Sequence, residues 1–232
     1  MAHRNQYPWL VSIVARTNST TVHLCGGTLI DHQFILTAAH CLSNVRSVKD
    51  LRVVHGAHEY LDAFKKRPLK LEQFIRHSNF SDNDNDIALI KLLNPLPHAM
   101  PICLPCNHSF LEVNDFNQRL SLVGWGMIGN FQSKRLKRPK QLMEAYVTAV
   151  ECKAHYPFMT HNQICVGGPP HASGCMGDSG GPLQTQMDGL YFQVGVISAG
   201  TSDCSVFSSA PTICELTSKH HEWLTKATSH WW

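Results

Sequence analysis

No stretch of this sequence approaches the roughly 18–20 consecutive apolar residues of a membrane-spanning helix, so no span is expected in it. The opening MAHRNQYPWL also lacks the apolar core of about 7–15 residues that marks a secretory leader. Charge is scarce: 16% of residues are charged and the net charge is +3, which gives no reason to expect a nucleic-acid binder. There is no internal repeat and no low-complexity tract, which excludes solenoids and fibrous proteins. Helical periodicity is missing from most of the chain as well. It shows clearly only at the end, where Leu216, His220, Trp223 and Leu224 recur at three- to four-residue spacing.

What remains is a globular composition, 232 residues long and 43% hydrophobic, long enough to bury a large core. Short β-branched and apolar runs recur along it: WLVSIVA, TLIDHQFILTAA, LRVVHGA, IALIKL, LSLVGWG, AYVTAV and YFQVGVISAG. Turn formers such as Gly26-Gly27, Asn94-Pro95, Gly129-Asn130 and Asp188-Gly189 separate them, a pattern of all-β barrels or sandwiches. Residues 94–118, rich in Pro, Asn and Cys, read as a connector between two halves. Nine cysteines point to an oxidising compartment. The glycosylation triplets at Asn18, Asn79 and Asn107 agree with a secreted or extracellular protein.

The segment GCMGDSGGPLQ sets Ser179 among four glycines, with Asp178 directly before it. So many glycines imply a backbone that turns sharply and approaches something closely. A serine hydroxyl attacks only with a base in reach, and the base needs an orienting group. His40 closes the apolar run FILTAAHC after two small residues, and Asp86 opens the apolar run DNDIALIKL. Each has a plainer alternative: a structural histidine beside a cysteine, a turn-capping aspartate, a glycine-rich loop. Their coincidence is what points to chemistry.

Taken together, CGGTLIDHQFILTAAHC, DNDIALIKL and GDSGGPL, in that order, resemble the trypsin/chymotrypsin-like serine proteases over essentially the whole chain. PWLVSI, PICLP, VGWG and PTICELTSKHHEWL fill the gaps. The resemblance implies an all-β fold of two six-stranded antiparallel barrels packed perpendicular, followed by a C-terminal helix. It divides the catalytic domain, 1–232, into lobes of roughly 1–100 and 119–215 and a helix over 216–230. It implies Ser179 as nucleophile, His40 as general base then acid, and Asp86 as the group orienting His40. The N–H groups of Gly177 and Ser179 would form the oxyanion hole, and no cofactor is implied. It further implies disulfides Cys25–Cys41, Cys152–Cys165 and Cys175–Cys204. A further family bridge is lost here at Leu120 and Thr185.

Three cysteines remain. Cys103 matches a position that in many relatives bonds a propeptide or light chain, Cys106 is unassigned, and Cys214 reads as a small buried side chain. Cys103 and Cys106 with His108 lack a second ligand pair for zinc. His55 and His58 are too few for a metal, and calcium-loop carboxylates are not matched in 57–72, so none is expected.

The resemblance places Ser173, Gly174, Met176, Ser198, Ala199, Gly200 and Thr212 around the substrate. Ser173 at the pocket base cannot pair with Arg or Lys, and Thr212 replaces a usual glycine and narrows the slot. Cleavage after an uncharged, apolar residue is therefore expected. Asp178 is implied as the carboxylate that pairs with a new ammonium terminus after zymogen activation. The usual Ile-Val-Gly-Gly segment is not in this sequence. Two basic clusters, Lys65, Lys66, Arg67 and Lys70, then Lys134, Arg135, Lys137, Arg138 and Lys140, read as solvated loops or as an exosite for acidic proteins or glycosaminoglycans. Two functions compete: a serine endopeptidase acting on proteins and peptides, and a catalytically silent homologue that binds through its basic loops.

Overall fold

A computed structural model describes residues 1–16, 21–105, 119–129, 137–168, 172–200 and 211–229. The apolar runs become strands: β1 Leu10–Arg16, β2 Thr21–Leu29, β3 Phe34–Thr37, β4 Leu51–His55, β5 Leu71–Arg76 and β6 Ala88–Leu92 in the first half. The second half supplies β7 Leu120–Gly124, β8 Met143–Ala149, β9 Gln163–Gly167, β10 Pro182–Met187, β11 Leu190–Ala199 and β12 Thr212–Leu216. A one-turn helix, α1 (Asp62–Lys65), precedes β5, and α2 (His221–Ser229) ends the described chain.

All strand pairs are antiparallel. The first six form a sheet ordered β4-β1-β2-β3-β6-β5, and the last six close into a barrel ordered β10-β11-β12-β9-β8-β7. The first sheet is thus a half-barrel among the described residues, bridged across its open side only by Val53 and Leu69. The C-terminal helix forms one turn later than expected. Thr217–His220 is a tight 3₁₀ turn and the α-helical part starts at His221.

The cores follow from strand alternation. Ile13, Leu29, Ile35, Leu36, Leu89 and Ile90 are fully buried in the first sheet. The same cluster runs through Trp9 and Tyr7 to Val123, Trp125 and Val196 of the barrel, so one apolar body joins the two sheets. Leu120, Leu122, Val166, Leu183 and Cys214 fill the barrel. Glu215 is wholly buried and is satisfied by the Gln163 amide at 2.7 Å and by His220 at 3.1 Å. That group ties β12 and β9 to the start of the final helix.

Two expected disulfides form, Cys25–Cys41 and Cys152–Cys165. Cys175 is disulfide-bonded, but its expected partner Cys204 lies outside the described residues, as does Cys106. Leu120 and Thr185, where relatives carry a further bridge, stand directly opposite each other in the β7–β10 register. Cys103 and Cys214 are free thiols, and burial pushes the Cys214 thiol well up, as expected of a small buried side chain.

Of the basic clusters, Lys65, Lys66, Arg67 and Lys70 are exposed, as are Lys137 and Lys140. Lys134 and Arg135 lie outside the described residues, and Arg138 is turned inward onto backbone carbonyls. Asn79 of the glycosylation triplets is exposed; Asn18 and Asn107 fall outside the described residues. No helix among the described residues is long and apolar enough to cross a membrane.

The sheets meet at the Ser179 turn. Gly26 of β2 donates its N–H to the Ser179 carbonyl at 2.8 Å, and Gly180 donates to Ile197 of β11 at 2.7 Å. Gly180 has φ +77°, and a Cβ there would collide with the Thr37 hydroxyl and the Gly26 carbonyl. Gly189, at φ +81° in a hairpin, would meet nothing. Gly189→Ala should therefore cost only left-handed strain, about 1–2 kcal/mol. Gly180→Ala should cost clearly more, and urea unfolding of the two variants checks this ordering.

Candidate active site

Asp86 sits where β6 begins, just after Asn85, whose left-handed φ of 58° turns the chain into the sheet. Its side chain is almost wholly buried, so its oxygens need partners, and the structure supplies three. Oδ1 accepts the His40 backbone N–H at 2.8 Å, and Oδ2 lies 2.6 Å from His40 Nδ1 and accepts the Ser198 hydroxyl at 2.6 Å. With both oxygens engaged, the carboxylate fixes the His40 backbone and its ring at once. The ring's own neighbour is the Cys25–Cys41 disulfide: Nε2 is 3.7 Å from Cys41 Sγ. His40, Cys25 and Cys41 are also the only grouping of potential metal-ligand atoms among the described residues. Both sulfurs there are in a disulfide and hold no thiolate for a metal.

Ser179 borders a cavity of about 180 Å³ lined by Gly174, Cys175, Met176, Ile197, Ala199, Gly200 and Thr212 as well. No hydrogen bond joins Ser179 to His40 among the described residues. Neither the Gly177 nor the Ser179 N–H has an acceptor among them, so both donors are open to an incoming oxygen. Most of the sequence-predicted substrate residues line this cavity. Ser173 and Ser198 do not. The Thr212 hydroxyl accepts the Gly174 N–H at 2.7 Å, and both residues line the cavity, while Ser173 is not among its described lining residues. Ser198 donates to Asp86, the support its position implies from sequence. A larger hollow of about 550 Å³ beside the Cys152–Cys165 loop touches none of His40, Asp86 or Ser179.

Behind the Ser179 turn, Asp178 directs its carboxyl inward and accepts N–H groups from Gly126 at 2.7 Å and Cys175 at 3.0 Å. A Cβ at Gly124 or Gly126 would run into that carboxyl, so both positions require glycine. Burial pushes the Asp178 carboxyl above the ordinary carboxylate range, while the two N–H groups and the Arg138 guanidinium pull the other way. No cation forms an ion pair with it within 4.0 Å among the described residues.

Sequence reasoning missed His23 and Ser12. Ser12 Oγ is 2.7 Å from His23 Nδ1, and His23 Nε2 lies 2.9 Å from the Gly177 carbonyl. With the ring neutral, a serine donating to Nδ1 leaves Nε2–H to donate to Gly177. His23 therefore anchors, from β2, the Gly177 carbonyl, two residues before Ser179. Simple alternation along β2 does not give this away, because the β1–β2 register shifts between Ile13 and Val14, pairing Cys25 with Ile13 and His23 with Val14.

A model of the protein family described as Trypsin matches residues 1–224.

Burial lowers the His23 pKa to about 4, assisted by Arg138 and opposed by the Gly177 carbonyl. The folded protein keeps this ring neutral, while the unfolded chain protonates it below about pH 6.5. Its contribution to stability is thus intact above that pH and is lost progressively as pH falls toward 4, to roughly 3 kcal/mol. His23→Gln should flatten that part of the stability curve in urea titrations between pH 7 and 4. An unchanged slope contradicts the assignment.

Proposed function

Because this chain belongs to the trypsin family, we propose that it is a serine endopeptidase that cleaves peptide bonds through an acyl-enzyme at Ser179. The observation that carries the reading is the doubly anchored His40–Asp86 pair on the first sheet, set beside two open N–H donors on the second. His40 Nδ1–H donates to Asp86, which leaves Nε2 as the base. It takes the Ser179 proton as Oγ attacks the carbonyl carbon. The carbonyl oxygen becomes an oxyanion and takes the N–H groups of Gly177 and Ser179. His40 then gives the proton to the leaving amine, the C–N bond breaks, and water repeats the sequence on the ester. Catalytic hydrogen bonds often form only when substrate is bound, which accounts for the open Ser179 hydroxyl. The bonded cysteines support a secreted protein, in keeping with the oxidising compartment they need.

Among the described residues, the cavity lining carries no charged side chain. With Thr212 bonded to Gly174, the slot suits a short, uncharged apolar side chain before the scissile bond. The exposed Lys65, Lys66, Arg67 and Lys70 support an acidic partner as a secondary contact.

A fluorophosphonate probe should label the chain covalently, and Ser179→Ala should abolish labelling and lower kcat by about 10⁶-fold. A folded chain that takes no label would instead be the non-catalytic binding protein. Thr212→Gly removes the tie and should raise kcat/KM for a large aromatic residue relative to alanine by about tenfold or more. A peptide-library profile dominated by Arg or Lys contradicts the pocket reading.

A further inference from the structure

Arg138 belongs by sequence to a basic loop, yet its side chain leaves that loop. Nη1 donates to the Met176 carbonyl at 3.3 Å and to the Trp125 carbonyl at 3.4 Å. Its guanidinium lies 5.5 Å from the centre of the Tyr60 ring. The backbone on either side is pinned. Lys137 and Ile128 exchange N–H···O bonds at 2.9 Å, and Tyr60 N–H donates to the Lys140 carbonyl at 2.9 Å. His23 packs edge-on to both Tyr60 and Trp125. Arg138 is thus held against the back of the Ser179 turn.

The Met176 carbonyl accepts a second donor, the Met127 N–H, at 2.8 Å. In a trans peptide the carbonyl and the following N–H point in opposite directions. Two donors on Met176 O therefore direct the Gly177 N–H away from Met127 and Arg138, and no described group accepts it. Rotation of that peptide would withdraw the N–H and leave the Met127 and Arg138 donors without their acceptor. Gly177, with φ +102°, has the backbone freedom such a rotation needs. A Cβ there would also strike Arg138 Nη1, so the guanidinium occupies the space a side chain would fill.

We propose that Arg138 is a positioning residue for the oxyanion hole: it clamps the Met176–Gly177 peptide through the Met176 carbonyl. Asp178 holds the same turn from the other side, through Gly126 and Cys175. The proposal rests on the reading of Ser179 as nucleophile, but the clamp itself can be measured without catalysis.

Arg138→Gln and Arg138→Lys are compared with wild type in two assays. With an amide substrate bearing a small apolar residue, Arg138→Gln is expected to lower kcat by about 10- to 100-fold, with KM within about twofold. Inhibition by a matching trifluoromethyl ketone, which forms an oxyanion on Ser179, weakens in parallel. Arg138→Lys keeps the charge and stays within about threefold of wild type. In the Ser179→Ala background, amide hydrogen exchange at Met127 and Gly126 rises about tenfold or more in Arg138→Gln. Unchanged kcat, a loss confined to KM, an equally deep loss in Arg138→Lys, or unchanged exchange at Met127 each overturns the proposal. A wild-type chain that neither labels nor turns over substrate defeats the peptidase reading instead. The exchange comparison then judges the clamp alone.

Discussion

The Asp178 carboxyl is the constraint around which the second half of the site is built. Turned inward, with no ion-pair partner among the described residues, it is satisfied by backbone and takes the N–H groups of Gly126 and Cys175. That demand propagates outward. The end of β7 has to approach the carboxyl without side chains, hence Gly124 and Gly126. The turn that carries Asp178 has to bend at Gly177 and Gly180, both at positive φ, and pass close to Gly26 of the other sheet. The glycine-rich sequence around Ser179 is the imprint of one buried acid and the close backbone packing it enforces.

The rest of the machinery is divided between the sheets. The first contributes His40 and Asp86, linked by two bonds from one carboxylate, and His23, which reaches across to the Gly177 carbonyl. The second contributes the serine turn, the pocket walls and Ser198, which reaches back to Asp86. Each sheet thus completes a group belonging to the other, and the apolar body running from Tyr7 and Trp9 to Trp125 and Val196 keeps them in register. Among the described residues, Met176 is exposed beside the cavity and the Gly177 and Ser179 N–H groups have no acceptor.

Much of this was legible in the sequence. Strand alternation and turn chemistry gave the all-β class, and the three motifs located His40, Asp86 and Ser179 together with two disulfides that form. What stayed hidden were long-range pairings of ordinary residues. Nothing local distinguishes His23 from the other histidines except its inward place on β2. Arg138 reads as one more surface cation in the basic stretch SKRLKRPK until the fold brings the Met176 carbonyl to its guanidinium. Thr212, a lining residue, bonds Gly174, a contact between residues far apart in sequence that motif reading does not show. The first barrel was expected closed and is a half-barrel among the described residues, because closure depends on edge pairing between β4 and β5 that side-chain alternation does not encode.

The central claim is that one atom, Ser179 Oγ, attacks while two N–H groups receive the oxygen. A crystal structure of the chain with an aliphatic peptide boronic acid tests it directly. The account predicts a tetrahedral boronate bonded to Ser179 Oγ, one boronate oxygen within hydrogen-bond reach of both Gly177 N and Ser179 N, and the aliphatic side chain against Thr212. An unmodified Ser179 at saturating boronate, or an adduct whose oxygens point away from Gly177 and Ser179, contradicts it.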